Sequence, residues 1–128
     1  MAKEIPDSVA KVGKDLASHS INLDKRIAGF IEELDQINDI SKIKNRSVWM
    51  MKQLLRAAME IVMEREQAYS RDLYPSYKLF SKYYPAHAKD AEKALDLVLN
   101  PISEKKKIKR LVNNLGNFIA SESTRIFR

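Results

Sequence analysis

The sequence contains no cysteine and little glycine or proline, which account for three and four of its 128 residues. The absence of cysteine excludes disulfide bonds, thiolate metal sites and a cysteine nucleophile. Scarce glycine and proline leave few helix breakers, and no segment shows the alternation of apolar and polar residues that is typical of a strand. The composition therefore predicts an all-α fold built from long helices.

Long apolar runs are also absent. No segment approaches the roughly 20 apolar residues that a bilayer-spanning helix needs, and residues 1–16 lack the apolar stretch of a secretory signal. We therefore expect no membrane partner and a cytoplasmic location. The length predicts a single domain, residues 1–128, and the mixture of 45% hydrophobic with 31% charged residues is typical of a globular protein.

The sequence motifs of common catalytic sites are missing. His19 and His87 have no further ligands at helical spacing, whereas a metal site needs three or four converging ligands. No glycine belongs to a phosphate-binding loop, and no histidine accompanies a serine as in a Ser-His-Asp triad. We therefore expect no metal, no cofactor and no catalytic residue, so that the chain acts by binding rather than by catalysis.

Apolar residues at helical spacing predict a bundle of five to six helices, some of them short, with a long helix at its centre. The predicted helices cover about residues 6–18, 22–37, 45–70, 76–82, 85–99 and 103–126. Trp49, Met50 and Leu54 widen the apolar surface of the long helix, which predicts a homodimer. Gly116 lies inside the last predicted helix and indicates close packing against a neighbour.

The net charge of +6 is unevenly distributed along the chain. Residues 1–40 hold five basic and eight acidic side chains, whereas residues 41–128 hold 18 basic and nine acidic ones. Such a field favours acidic partners or nucleic acid. The densest basic run could contact phosphates or form a solvated helix face, and it consists of Lys105, Lys106, Lys107, Lys109 and Arg110.

A second cluster combines arginine, tyrosine and carboxylates near the end of the long predicted helix. Its members are Arg65, Glu66, Tyr69, Arg71 and Asp72. Arg65 and Tyr69 are four residues apart and would share a helix face. Together, arginine and tyrosine could bind and stack a nucleotide, with the carboxylates orienting the arginines. The alternative is an internal ion-pair network that ties the helix to the tyrosine-rich segment behind it.

Several short strings suggest a family. The strings are MEREQAYSRDLY at 63–74, FSKYYP at 80–85, ALDL at 94–97 and Asn100-Pro101. Over residues 42–125 the chain resembles the HEPN-like helical domains associated with minimal nucleotidyltransferases. The resemblance implies a non-catalytic substrate- or partner-binding domain, often dimeric, with a nucleotidyltransferase on another chain.

The chain departs from this family in two respects. The ribonuclease branch carries an arginine a few residues before a histidine, which neither His19 nor His87 has, and the Gly-Ser and Asp-x-Asp signature of nucleotidyltransferases is absent. We therefore expect an accessory binding module rather than an enzyme. The alternatives are a basic nucleic-acid-binding helical protein and a purely structural scaffold or dimerisation domain.

Overall fold

The computed structural model describes residues 19–66, 70 and 72–127, and these residues form helices and turns without a strand. The all-α class predicted from the composition is confirmed. Two shorter elements interrupt the α-helices: a 3-10 turn at Pro85–His87 and a π-helical turn at Val112–Gly116. The α-helices are α1 (Leu23–Gln36), α2 (Ile40–Glu60), α3 (Met63–Glu66), α4 (Leu73–Tyr83), α5 (Ala88–Leu99), α6 (Lys105–Leu111) and α7 (Asn117–Phe127).

Helix α1 matches its prediction closely. Asn22 precedes the helix with a positive φ of 62°, a conformation that asparagine tolerates better than most residues. The predicted apolar stripe faces the core, with Leu23, Ile27, Phe30 and Leu34 buried. The helix predicted at residues 6–18 lies outside the described residues.

Helix α2 is 21 residues long and differs from the prediction at both ends. It begins at Ile40 because the side chain of Asp39 accepts a hydrogen bond from the Lys42 amide at 3.1 Å, a cap within what was predicted to be a connection. It ends at Glu60 rather than near Ser70, because the chain turns at residues 61–62. Both turn residues are buried, so packing rather than a helix breaker determines this end.

The broad apolar surface of α2 is used inside the chain. Helices α4 and α5 and the π-helical turn pack against α2, and Met50 and Leu54 are fully buried. Trp49 is half-buried, with the Arg46 guanidinium 4.3 Å from its ring centroid. Most of the surface on which the homodimer prediction rested is therefore covered within the chain, and the homodimer stays a prediction.

The remaining helices show how proline and glycine are accommodated. Helix α4 starts at Leu73, earlier than predicted, because Pro75 lies in the first turn, where its missing N–H is not needed. Helix α6 begins at Lys105, after Glu104, two residues later than the predicted start near residue 103. Gly116 confirms the predicted close packing, since a Cβ built there would lie 2.6 Å from Ile27 Cδ1.

In the part of the chain that the structure describes, no helix has both the length and the apolar character to cross a membrane.

Candidate anion-binding site

The first predicted site residue, Arg65, lies at the end of α3 and faces the end of α4. Its guanidinium carbon is 5.3 Å from the ring centroid of Tyr83 and 5.4 Å from that of Tyr84. The residue is exposed, and no ion pair involves it among the described residues. Arg65 is thus held over two aromatic faces by cation–π attraction while its N–H donors remain accessible.

Glu66, the second predicted site residue, bonds to residues at the end of α4. Its Oε1 accepts hydrogen bonds from the Tyr83 hydroxyl at 2.7 Å and from Lys82 Nζ at 3.2 Å. The Tyr83 hydroxyl, followed by Lys82, lowers the pKa of the Glu66 carboxyl, and the same hydrogen bond raises the pKa of Tyr83. Glu66 therefore joins α3 to α4.

Of the other predicted members of this cluster, the structure describes Asp72. Asp72 is exposed before α4, and its backbone carbonyl accepts hydrogen bonds from the Ser76 amide and hydroxyl at 3.2 and 2.8 Å. Asp72 thus contributes to the start of α4, and its role beside an arginine stays a prediction. Tyr69 and Arg71 lie outside the described residues. Among the described members, Arg65 and Glu66 both contact Tyr83, and Arg65 also lies over Tyr84.

A second carboxylate continues this network on α7. Tyr84 donates its hydroxyl hydrogen to Glu122 Oε1 at 3.0 Å, and Arg125 Nη2 donates to the same oxygen at 2.7 Å. Arg125 is the main cause of the lowered pKa of Glu122, whereas burial is the main cause of the raised pKa of Tyr84. Sequence reasoning missed Glu122 and Arg125, whose only local signal is their spacing of three residues on one helix.

The described part of the tyrosine-rich segment, residues 74–84, contributes mainly to the packing of the core. Phe80 is fully buried, and the Tyr84 and Phe118 rings meet edge to face with centroids 5.2 Å apart. His87 stacks on Phe118 at 3.7 Å. The hydroxyls of Tyr83 and Tyr84 are directed to carboxylates, as expected for half-buried tyrosines. Within the described residues, this segment therefore connects α4 to α3 and α7.

One buried carboxylate lies at the end of α2. Glu60 is 1% exposed, and its Oε1 accepts from the amides of His19 and Ser20 at 2.9 and 2.8 Å. Its Oε2 lies 2.7 Å from the ring Nδ1 of His19. Arg26 Nη1 donates to the His19 carbonyl at 2.6 Å. Glu60 thus anchors residues 19 and 20 to α2, and both of its oxygens are occupied by this contact.

The predicted basic run forms α6, and the structure divides its side chains. Ile108, in its middle, is buried and fixes the helix to the core. Lys109 pairs with Asp35 of α1, and Lys107 Nζ lies 3.4 Å from Glu104. Lys106 and Arg110 are exposed, and Lys105 is half-buried. The run is therefore not one uniform cationic surface.

Part of this run lines a groove between α5 and α6, which we call the α5–α6 groove. Its volume is about 320 Å³. Its lining residues come from α5, the connection at 100–104, α6 and the π-helical turn: Asp90, Lys93, Leu97, Ile102, Lys107, Arg110, Leu111 and Asn114. Sequence reasoning included Lys107 and Arg110 but missed Lys93 and Asn114. The available signal was the spacing of Asp90, Lys93 and Leu97, which places them on one helix face.

The α5–α6 groove combines positive charge with an apolar floor. Lys93, Lys107 and Arg110 line the groove together with one carboxylate, Asp90, and Lys107 also pairs with Glu104, which is not a lining residue. Leu97, Ile102 and Leu111 supply the apolar part of the lining. Such a groove can hold an anionic group by charge while an organic body lies on the aliphatic side chains.

Comparison with known proteins adds no relative. The chain matches no protein-family model, and no curated protein or solved structure is significantly similar to it. Over the described ranges 19–66 and 72–127, no group of three or more histidine, aspartate and glutamate side chains could hold a metal ion. The α5–α6 groove and the Arg65 cluster are therefore the candidate binding sites among the described residues.

Proposed function

We propose that this chain is a non-catalytic helical module that binds a phosphate-bearing ligand in the α5–α6 groove. The observation that carries the proposal is the convergence of Lys93, Lys107 and Arg110 on one groove. Arginine offers a planar fork that matches phosphate oxygens, and lysine offers a mobile point charge. The groove volume of about 320 Å³ falls within the usual range for small-ligand sites.

The groove also refines the nucleic-acid alternative. A strand bound along the whole basic run would use Lys105 and Lys109 as well, but Lys109 already pairs with Asp35. Lys107 and Arg110 instead face the same groove as Lys93, which belongs to another helix. This convergence supports a ligand that enters a groove more than one that lies across a flat helix face.

A second candidate function rests on Arg65. Its exposed guanidinium lies over Tyr83 and Tyr84, and none of the described carboxylates forms an ion pair with it. This arrangement supports a role in binding a substrate or partner chain. It also fits the proposal of a HEPN-like accessory domain beside a nucleotidyltransferase, for which the all-α fold is the structural support.

The test is a titration of the ¹⁵N-labelled protein with inorganic phosphate, followed by amide chemical shifts. We expect the amide signals of Lys93, Arg110 and Asn114 to shift. Arg110→Ala should lower the affinity for phosphate at least about tenfold, because a charge-assisted hydrogen bond is lost. Lys106→Ala is the matched control, since Lys106 lies on the same helix but does not line the groove.

Three outcomes separate the candidates. Equal phosphate binding by Arg110→Ala and the unchanged protein would contradict the groove proposal. Equal loss in Arg110→Ala and Lys106→Ala would reduce the effect to general electrostatic attraction and would also contradict it. Loss of binding in Arg65→Ala alone would favour the second candidate.

A further inference from the structure

We infer that the outer face of α4 binds single-stranded nucleic acid, at a site separate from the α5–α6 groove. Tyr74, Lys78 and Lys82 follow one another at intervals of four residues, so they share one face of the helix. All three are exposed. Together with Arg65, at the end of α3, they form what we call the α4 surface. No residue of α4 lines the α5–α6 groove.

The α4 surface is cationic because its helix carries no acidic residue. Helix α4 contains two lysines and neither aspartate nor glutamate. None of the described carboxylates forms an ion pair with Lys78 or Arg65, whereas Lys82 Nζ lies 3.2 Å from Glu66 Oε1. Asp72 precedes the helix and is exposed. Positive charge is therefore left over for an anionic partner, and Lys78 and Arg65 are its main sources.

Each cation of the α4 surface lies against a tyrosine ring. Lys78 Nζ is 5.9 Å from the ring centroid of Tyr74. Lys82 Nζ and the Arg65 guanidinium carbon are 5.4 and 5.3 Å from the centroid of Tyr83. Cation–π attraction acts at these distances, and the hydrogen-bonded hydroxyl of Tyr83 fixes its ring. The cations are thus held in place while their N–H donors remain exposed to solvent.

Tyr74 supplies an aromatic ring on which a base can stack. It is 58% exposed, and within the ranges 19–66 and 72–127 it is the one exposed aromatic side chain. The ring of Tyr77 lies 5.9 Å away at an interplanar angle of 51°. Contact with Tyr77 and Lys78 restricts the Tyr74 ring, so less conformational freedom is lost when a base stacks on it.

This combination favours a single strand over other polyanions. Every base has a flat face that can stack on tyrosine, whereas the bases of a duplex already stack on one another. An acidic peptide would pair with the lysines but would gain little from the Tyr74 ring. Lys78 and Lys82 are about 6 Å apart along the helix axis at 1.5 Å per residue, so successive phosphates of an extended strand can reach both.

The first test measures the binding of a fluorescein-labelled short oligothymidine by anisotropy at several salt concentrations. Each phosphate contact contributes about −0.7 to the slope of log affinity against log salt concentration for a single strand. Contacts from Arg65, Lys78 and Lys82 predict a slope of about −2, and Lys78→Ala should change it to about −1.4. Lys25→Ala, which removes an exposed lysine from α1, is the matched control and should leave the slope unchanged.

The second test concerns the ring of Tyr74. Tyr74→Ala should lower the affinity for oligothymidine about tenfold, because base–aromatic stacking is lost. Tyr74→Phe keeps the ring and should keep the affinity. Leu99→Ala is the matched control, since Leu99 is a 70% exposed apolar side chain on another helix. Thermal unfolding by circular dichroism shows that each variant retains the fold.

Four outcomes would each overturn the inference. They are equal affinity of Tyr74→Ala and the unchanged protein, a loss in Lys106→Ala in place of Lys78→Ala, equally tight binding of an oligoglutamate peptide, and no oligothymidine binding at low salt. The groove proposal can fail or succeed independently, because Arg110→Ala should lower the affinity for phosphate but not for oligothymidine.

Discussion

Replacement of Gly116 by alanine tests the closest helix contact in the bundle. An added Cβ would lie 2.6 Å from Ile27 Cδ1 and 3.2 Å from Leu54 Cδ2, both of which belong to buried side chains. Gly29, on the same helix as Ile27, has no described atom within 4 Å of an added Cβ. The two glycines therefore provide a matched pair, in which the same substitution meets either a packed core or open space.

The expected magnitudes have opposite signs. At Gly29, alanine should stabilise the fold by about 0.5 to 1 kcal/mol, because alanine loses less backbone entropy in a helix. At Gly116 the same gain is opposed by overpacking, which typically costs about 1 to 3 kcal/mol. We therefore expect Gly116→Ala to lower the free energy of unfolding by about 1 kcal/mol.

Urea unfolding followed by circular dichroism measures both changes. Ile27→Val removes the Cδ1 atom nearest to the added Cβ, so the pair Ile27→Val and Gly116→Ala should be non-additive by about 1 kcal/mol in a double-mutant cycle. If Gly116→Ala stabilises the protein as much as Gly29→Ala does, the close contact between α1 and the π-helical turn is wrong.

Two further predictions concern carboxylates. Glu60→Ala should destabilise the protein by about 3 kcal/mol in urea unfolding, because it leaves buried amides of residues 19 and 20 unpaired; a loss no larger than that of the exposed Glu32→Ala would contradict this. The pKa of Glu66 is lower in the folded than in the unfolded protein, because its ionised carboxylate accepts hydrogen bonds from Tyr83 and Lys82. These bonds stabilise the fold fully above the unfolded-state pKa near 4.5, and the stabilisation is lost as the pH falls through the lower folded-state pKa. Tyr83→Phe should therefore weaken the acid dependence of the urea midpoint, and an unchanged dependence would refute the Glu66–Tyr83 link.

Local sequence patterns were sufficient where helix ends and faces depend on nearby residues. The period of Leu23, Ile27, Phe30 and Leu34 identified the buried face of α1 without further information. Proline at residues 85 and 101 bounded α5 within a few residues of its observed ends. The close approach at Gly116 was also predictable, because glycine inside an apolar helix pattern often marks such a contact.

Features that depend on residues distant in sequence were not predictable in this way. Helix α2 ends at Glu60 although Ile61 and Val62 carry no breaker signal, because their burial against other helices determines the turn. Glu66 finds its partner Tyr83 17 positions later. The groove forms because the connection at 100–104 brings α6 back along α5, so that Lys93 and Arg110 line the same groove, which neither local run indicates.

The meeting of the two ends of the described chain has a consequence for cooperativity. Residues 20–24 line a cavity of about 210 Å³ together with Ala120, Ser123, Thr124 and Phe127 of α7. Opening of either segment removes part of the surface that covers the other. The start of α1 and the last turns of α7 therefore belong to one cooperative unit, and their amide protons should exchange with solvent through a shared opening rather than by independent fraying.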